Sequence, residues 1–231
     1  MNLKNKLIES INQYENDDKM KSFVIDEEMF TEDYPQSFNV ADLDAQTTYA
    51  GKKRYLEQHL RKIGAGSSRI VYLVDNTKVI KLAKNEKGLA QNQVENDYYI
   101  QNEYSDVVAH IFDTDNKDYW IEMELAKRLS PKRFKELIGL DWDEYCYVLR
   151  FVFGPTKFNI PEFNQEKIDF YYEHPFAGQI LDMSGNAGTS FGDLIRISSY
   201  GEVSRNGKPL VVLVDYGANE DVISTYYKKK R

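Results

Sequence analysis

Leu210 to Val214 form an almost unbroken apolar run that ends in Asp215-Tyr216-Gly217. A run this uniform cannot alternate between core and water, so it reads as a strand buried on both faces. Asn206-Gly207 just before it is a hairpin signal, so the strand has an antiparallel partner upstream. A carboxylate at the end of a buried strand, followed by glycine, is one way to hold Mg²⁺. Asp-x-Gly alone is equally a turn signal.

The rest of the chain must build the core that covers this strand. Leu3, Leu7, Ile8 and Ile11 have helical spacing, and the acidic stretch 16–46 holds a short apolar run, Phe23 to Ile25, and a breaker at 33–35. This stretch reads as an N-terminal extension packed on the main body. Residues 48–62 look helical and lead into Ile63-Gly64-Ala65-Gly66. Arg69 to Val74 and Lys78 to Leu82 are β-rich and joined by Asp75-Asn76-Thr77, which predicts a hairpin. One helix is expected over 87–104, and strands over 107–112 and 119–125. From Ser130-Pro131, a helix-start signal, the pattern is helical to about Tyr172, with breaks at Gly154-Pro155, Ile160-Pro161 and His174-Pro175. The Gly-, Ser- and Asn-rich stretch 182–190 reads as a loop. It lacks the lysine a Walker-type phosphate loop requires.

Four features in this order carry chemistry. Gly64 and Gly66 let backbone approach an anion closely, though they also suit a plain turn. Lys81 sits in an apolar strand and must find a partner or water. Glu95 on the next helix is the expected partner, while an edge strand would let Lys81 point outward. Asp193, in Phe191-Gly192-Asp193-Leu194, follows a loop and can accept a hydroxyl proton or merely cap a turn. Asp215 is the fourth.

Taken together, Gly64-x-Gly66, Val79-Ile80-Lys81, Glu95, Gly192-Asp193-Leu194 and Asp215-Tyr216-Gly217 resemble the protein-kinase and aminoglycoside-phosphotransferase superfamily. Small bacteriophage-encoded kinase-like proteins look similar. The resemblance covers about 63–218 and implies an α+β, two-lobed fold. The expected units are an extension over 1–62, an antiparallel-sheet N-lobe over 63–127 and a reduced helical C-lobe over 128–231. It also implies an ATP- and Mg²⁺-dependent phosphotransferase with a protein or small-molecule hydroxyl as acceptor. Gly64 to Ser68 would cover the phosphates, and Lys81, oriented by Glu95, would hold them. Asp215 with Ser198 would bind Mg²⁺, and Asp193 would take the acceptor's proton.

The changes at Phe191 and Ser198 and the short segment after Gly217 favour the alternative of a pseudokinase-type module that binds a nucleotide or a protein without catalysis. Phe191 stands where the family has a histidine, Ser198 where it has an asparagine, and Arg69 where it has a third glycine. About 14 residues follow Gly217, too few for an activation loop. Arg69 and Arg196 could add positive charge.

Composition narrows the setting. The net charge of -7 argues against general nucleic-acid binding. One cysteine excludes an intrachain disulfide and suits a reducing compartment. Residues 1–6 lack the apolar core of a signal peptide, and no apolar run is long enough to span a membrane. The expected location is cytoplasmic, the host cytoplasm if phage-encoded. His59, His110 and His174 lack metal-ligand spacing, and the basic 228–231 reads as a solvated terminus. The 17 tyrosines have no explanation at this level.

Overall fold

The protein, seen in a computed structural model, is described over residues 37–154 and 165–227. The readings placed on 1–36, 155–164 and 228–231 lie outside the described residues.

Two antiparallel sheets and the helices around them give the expected two-lobed α+β architecture. The first sheet has five strands in the order β1-β2-β3-β5-β4. They are β1 (Arg61–Ala65), β2 (Arg69–Leu73), β3 (Lys78–Ala83), β4 (Ile111–Thr114) and β5 (Trp120–Glu124). The second has three strands, β6 (Lys127–Arg128), β7 (Tyr200–Arg205) and β8 (Lys208–Leu213). The β2–β3 connection closes as its residues predict, with Asp75 Oδ1 accepting from the Thr77 N–H at 2.7 Å. Between β7 and β8, Asn206 and Gly207 both take positive φ, 54° and 74°, as a two-residue hairpin turn requires.

Strand alternation divides the first sheet between two cores. Val71, Leu73, Val79, Ile121 and Met123 face the main core, which also contains Val212, Leu213, Val214 and Tyr216. Ile70, Tyr72, Ile80, Leu82 and Trp120 face the other way. Helices α1 (Val40–Asp44) and α2 (Tyr49–His59) cover that outer face with Leu43, Leu56 and Leu60. Part of the N-terminal stretch thus seals a sheet face that would otherwise be wet.

The expected helix over 87–104 is two helices, α3 (Glu86–Glu95) and α4 (Tyr98–Glu103). Asp97 breaks it by capping α4, its carboxylate accepting from the N–H groups of Tyr99 and Ile100. The strand expected over 107–112 begins only at Ile111. Residues 107–109 instead cross to β8, where Ala109 N–H donates to the Leu213 carbonyl at 3.0 Å and Leu213 N–H to that of Val107 at 2.8 Å.

Helices α5 (Pro131–Ile138), α6 (Trp142–Phe153), α7 (Gln165–Glu173) and α8 (Pro175–Ala187) make up most of the second lobe. Ser130 caps α5 and Asp141 caps α6. The loop read over 182–190 is a correction. Helix α8 runs through it to Ala187 and ends at Gly188 with φ 63°. Glycine, serine and asparagine disfavour helix weakly, and burial of Ile180, Leu181, Met183 and Ser184 along one face outweighs them.

Phe134, Trp142, Tyr145, Phe176 and Tyr200 form an aromatic core with ring centroids 5.0–6.3 Å apart. At the lobe junction, Arg205 holds both oxygens of Glu124 (3.1 and 2.6 Å) and the carbonyls of Ser105 and Val108 (2.6 and 2.8 Å). This clamp ties the β7–β8 hairpin to the end of β5.

Candidate active site

The first sheet, helix α3, the end of β8 and the short helix α9 (Phe191–Leu194) deliver charged side chains to one buried region. On β3, Lys81 lies opposite Val71 of β2 and Ile121 of β5, so it shares their core-facing side. It is fully buried. Its Nζ donates to Glu95 Oε2 at 2.9 Å and to the Val214 carbonyl at 2.6 Å. The partner expected for Lys81 is therefore Glu95, the last residue of α3. The outward-pointing alternative does not hold.

Arg69 is the residue that sequence reasoning undervalued. It shares the core-facing side of β2 with Val71 and is 1% exposed. Its Nη1 lies 2.8 Å from Glu95 Oε2, and its Nη2 lies 2.7 Å from Asp215 Oδ1. Its one sequence signal was its place beside the glycine turn, in register to face the same side as Lys81.

Asp193 is buried in α9, with Arg196 Nη1 3.5 Å from its Oδ1. Helix α9 is fixed from below, where the Tyr200 hydroxyl donates to the Leu194 carbonyl at 2.9 Å. It is fixed from the side by the Ser190 N–H, which donates to the Ala218 carbonyl at 2.7 Å. Ser198 lies half-buried in a 3₁₀ turn, Ile197–Ser199. No hydrogen bond or ion pair among the described residues ties Ser198 to Asp215.

Gly64 sits in β1 opposite Val71, at a bulge. The turn after it closes when Gly66 N–H donates to the Arg69 carbonyl at 2.9 Å. The turn is strapped to the start of α3 by three contacts. Lys84 N–H donates to the Ser68 carbonyl at 2.7 Å, Lys84 Nζ to that of Gly66 at 2.9 Å, and Lys87 Nζ to Ser67 Oγ at 2.7 Å. Ser68 Oγ donates to Gln91 Oε1. Tyr227 lies over this edge, its hydroxyl accepting from Gln91 Nε2 at 3.3 Å and its ring 4.3 Å from Lys87 Nζ.

Two glycines outside the turn make this closeness possible. A Cβ at Gly88 would lie 2.3 Å from the Ser68 carbonyl oxygen. One at Gly217 would lie 2.7 Å from the Gln91 carbonyl oxygen. Both neighbours are backbone and cannot rotate away. Gly88→Ala is expected to push α3 off the turn and destabilise the protein by about 1–3 kcal/mol. A melting temperature within 1 °C of wild type would mean that the helix shifts without cost.

Burial and neighbouring charge set the proton affinities. Asp193 is pushed up to about 8, first by burial and then by the Asp215 carboxylate, against the pull of Arg196 and Arg69. Burial also raises Asp215, opposed by Arg69 and Lys81. Burial acts to raise Glu95 too, but Arg69 and Lys81 outweigh it and hold Glu95 below its usual range. Lys81 is lowered by burial and by repulsion from Arg69, although Glu95 acts in the opposite sense. Glu95 is therefore the ionised anchor that the two cations share.

No group of three His, Cys, Asp or Glu side chains among the described residues is arranged to hold a metal alone. Asp215 nonetheless suits Mg²⁺. That ion is ordinarily held by one or two carboxylates, with substrate phosphates and water completing its shell. A cavity of about 450 Å³ lined by Tyr104, Glu173, His174 and Asp182 shares no lining residue with this cluster. No helix among the described residues is long and apolar enough to cross a membrane.

No protein-family model matches the sequence, and no curated protein matches it. Among solved structures, the chain is similar to the streptomycin-ATP-APH(2")-IIa ternary complex, at 14% identity and a TM-score of 0.33. It is also similar to the gentamicin-APH(2")-IIa complex, at 15% identity and a TM-score of 0.32. A third is the ADP-bound aminoglycoside phosphotransferase APH(2'')-Ib, at 15% identity and a TM-score of 0.33. These likenesses cover 69%, 69% and 71% of this chain and 65%, 64% and 69% of those chains. At these scores they assign no role to any residue.

Proposed function

We propose that the chain is a kinase-like phosphotransferase that uses ATP and Mg²⁺ to phosphorylate a hydroxyl on a protein or a small molecule. The observation that carries this reading is the buried chain of contacts Lys81–Glu95–Arg69–Asp215, with Asp193 close enough to feel the Asp215 carboxylate. The turn's backbone would lie over the phosphates, and Lys81, aimed by Glu95, would neutralise them. Asp215 would hold Mg²⁺, which supplies charge neutralisation for the transferring phosphoryl group. Asp193 would accept the proton of the acceptor hydroxyl. A base with its proton affinity raised toward neutral pH suits that step. Positioning and preset charge carry most of the catalytic effect in such transfers.

A second reading rests on a specific observation. Arg69 occupies Asp215, and Phe191 and Ser198 replace the family's histidine and asparagine. These features suit a module that binds nucleotide or protein without transfer.

Thermal shift with ATP and Mg²⁺ tests nucleotide binding. At a hundredfold excess over Kd, binding adds about 2.7 kcal/mol, which is about 5–10 °C for a chain of this size. Lys81→Ala should abolish the shift. No shift in the wild-type protein removes the nucleotide reading altogether. Transfer of label from ATP by the wild-type protein and not by Asp193→Ala separates the enzyme from the module.

A further inference from the structure

Arg69 and Lys81 share one acceptor atom, Glu95 Oε2, at 2.8 and 2.9 Å. Their cationic heads therefore lie side by side, and an anion that meets the Lys81 ammonium lies within reach of the Arg69 guanidinium. The guanidinium is planar and matches phosphate and carboxylate oxygens with the same paired geometry. One of its arms rests on Asp215 Oδ1 at 2.7 Å. Asp215 is also the carboxylate best suited to Mg²⁺, and it cannot give that oxygen to both.

We infer that Arg69 is a phosphate-contact residue of the nucleotide site, and that a nucleotide phosphate competes with Asp215 for its guanidinium. Binding exchanges the Asp215 carboxylate for a phosphate oxygen on Arg69 and releases Asp215 to the metal. Glu95 stays as the common anchor, so the guanidinium turns about a fixed point. No bond is made or broken covalently, and no proton need move. Two consequences follow. Nucleotide binds without metal, because Arg69 and Lys81 meet its phosphates directly. Metal binds more weakly without nucleotide, because Arg69 holds one of the two Asp215 oxygens and its charge repels the ion. This inference rests on the nucleotide reading proposed above and adds to it an order of assembly.

The test measures two affinities by calorimetry, ATP in EDTA and Mn²⁺ alone, for the wild-type protein, Arg69→Met and Arg69→Lys. The loss of a charge-assisted hydrogen bond predicts that Arg69→Met binds metal-free ATP about tenfold more weakly or worse. The same variant binds Mn²⁺ more tightly than the wild-type protein, because Asp215 is uncovered. Arg69→Lys keeps the charge without the fork, and its ATP affinity falls between the two. Opposite changes in the two affinities are what a merely structural arginine would not produce.

Equal or tighter ATP binding by Arg69→Met, with the wild-type protein binding normally, overturns the inference and leaves the nucleotide reading standing. Absence of ATP binding in the wild-type protein sinks both. If Arg69→Met fails to fold, Asp215→Ala serves as the second variant. It removes the acceptor that competes for Arg69, so metal-free ATP should bind more tightly. The gain should vanish when Arg69→Lys is added. A gain that persists unchanged there overturns the exchange.

Discussion

Glu95→Ala is expected to destabilise the protein by about 3–5 kcal/mol, the usual cost of removing one member of a buried ionic group. For a chain of this length that is roughly 6–20 °C in melting temperature. Glu95 is 0% exposed and is the acceptor common to Arg69 and Lys81. Without it, two cations face each other in the interior. Arg69 keeps Asp215, and Lys81 keeps the Val214 carbonyl, so the site is not stripped bare. The one carboxylate left beside them, Asp215, then faces two cations instead of sharing them with Glu95. The exposed pair Lys53–Glu57 provides the contrast, with both side chains well exposed to water. Glu57→Ala should leave the melting temperature nearly unchanged, because water screens an ion pair this exposed. If Glu95→Ala melts like Glu57→Ala, the buried cluster is not what holds α3 against the sheet.

Asp193→Asn should have the opposite sign. Burial and Asp215 raise the proton affinity of Asp193 to about 8, so the folded state holds this proton more tightly than the unfolded chain. Stability from this group is greatest below the ordinary carboxylate range. It declines as pH rises from about 4 to about 8. The amide removes that decline. The variant should therefore melt about 3–10 °C above wild type at pH 8, the equivalent of a few kcal/mol. The difference should shrink toward zero near pH 4. Under the proposed function the same variant loses phosphoryl transfer, so the site trades stability for a base placed where it can act. A variant that melts below wild type at pH 8, or a difference independent of pH, contradicts this account.

Much of the local structure was legible. Asp75 to Thr77 and Asn206-Gly207 were readable as hairpin turns because their chemistry is short-range. Ser130-Pro131 marked a helix start for the same reason. The pairing of Lys81 with Glu95 was legible because one strand and one adjacent helix leave few ways to bury a lysine. The stretch 182–190 was misread because its glycines and serine speak only of local preference. The burial of Ile180 and Met183 against a distant core decided for helix. The break at Asp97 was also missed, since a cap competes with helix continuation on nearly equal terms.

The tyrosines gained a partial explanation. The Tyr200 hydroxyl holds the Leu194 carbonyl. That of Tyr216 accepts from Gln101 Nε2 at 2.6 Å and lies 3.2 Å from the carbonyls of Glu95 and Ala109. A phenol places a polar tip at the end of an apolar body, and here that tip meets backbone groups inside the core beside the site. Nothing in the pattern of tyrosines announced which would do so.

The sequence by itself determined most of the elements, their order and the identity of most charged groups, since helical and strand periodicity and turn chemistry act over a few residues. Only the tertiary structure decided how those charges pair. Arg69 and Asp215 are 146 positions apart. Their contact depends on the register of β2, on the close approach that Gly88 and Gly217 permit, and on the packing of β8 under the sheet. Asp215 read as a free metal carboxylate, and it emerged as a carboxylate already held by an arginine. The apolar run that leads to it is buried only from Val211 onward, since Leu210 at its start is exposed, and the partner of its terminal charge was chosen by the fold.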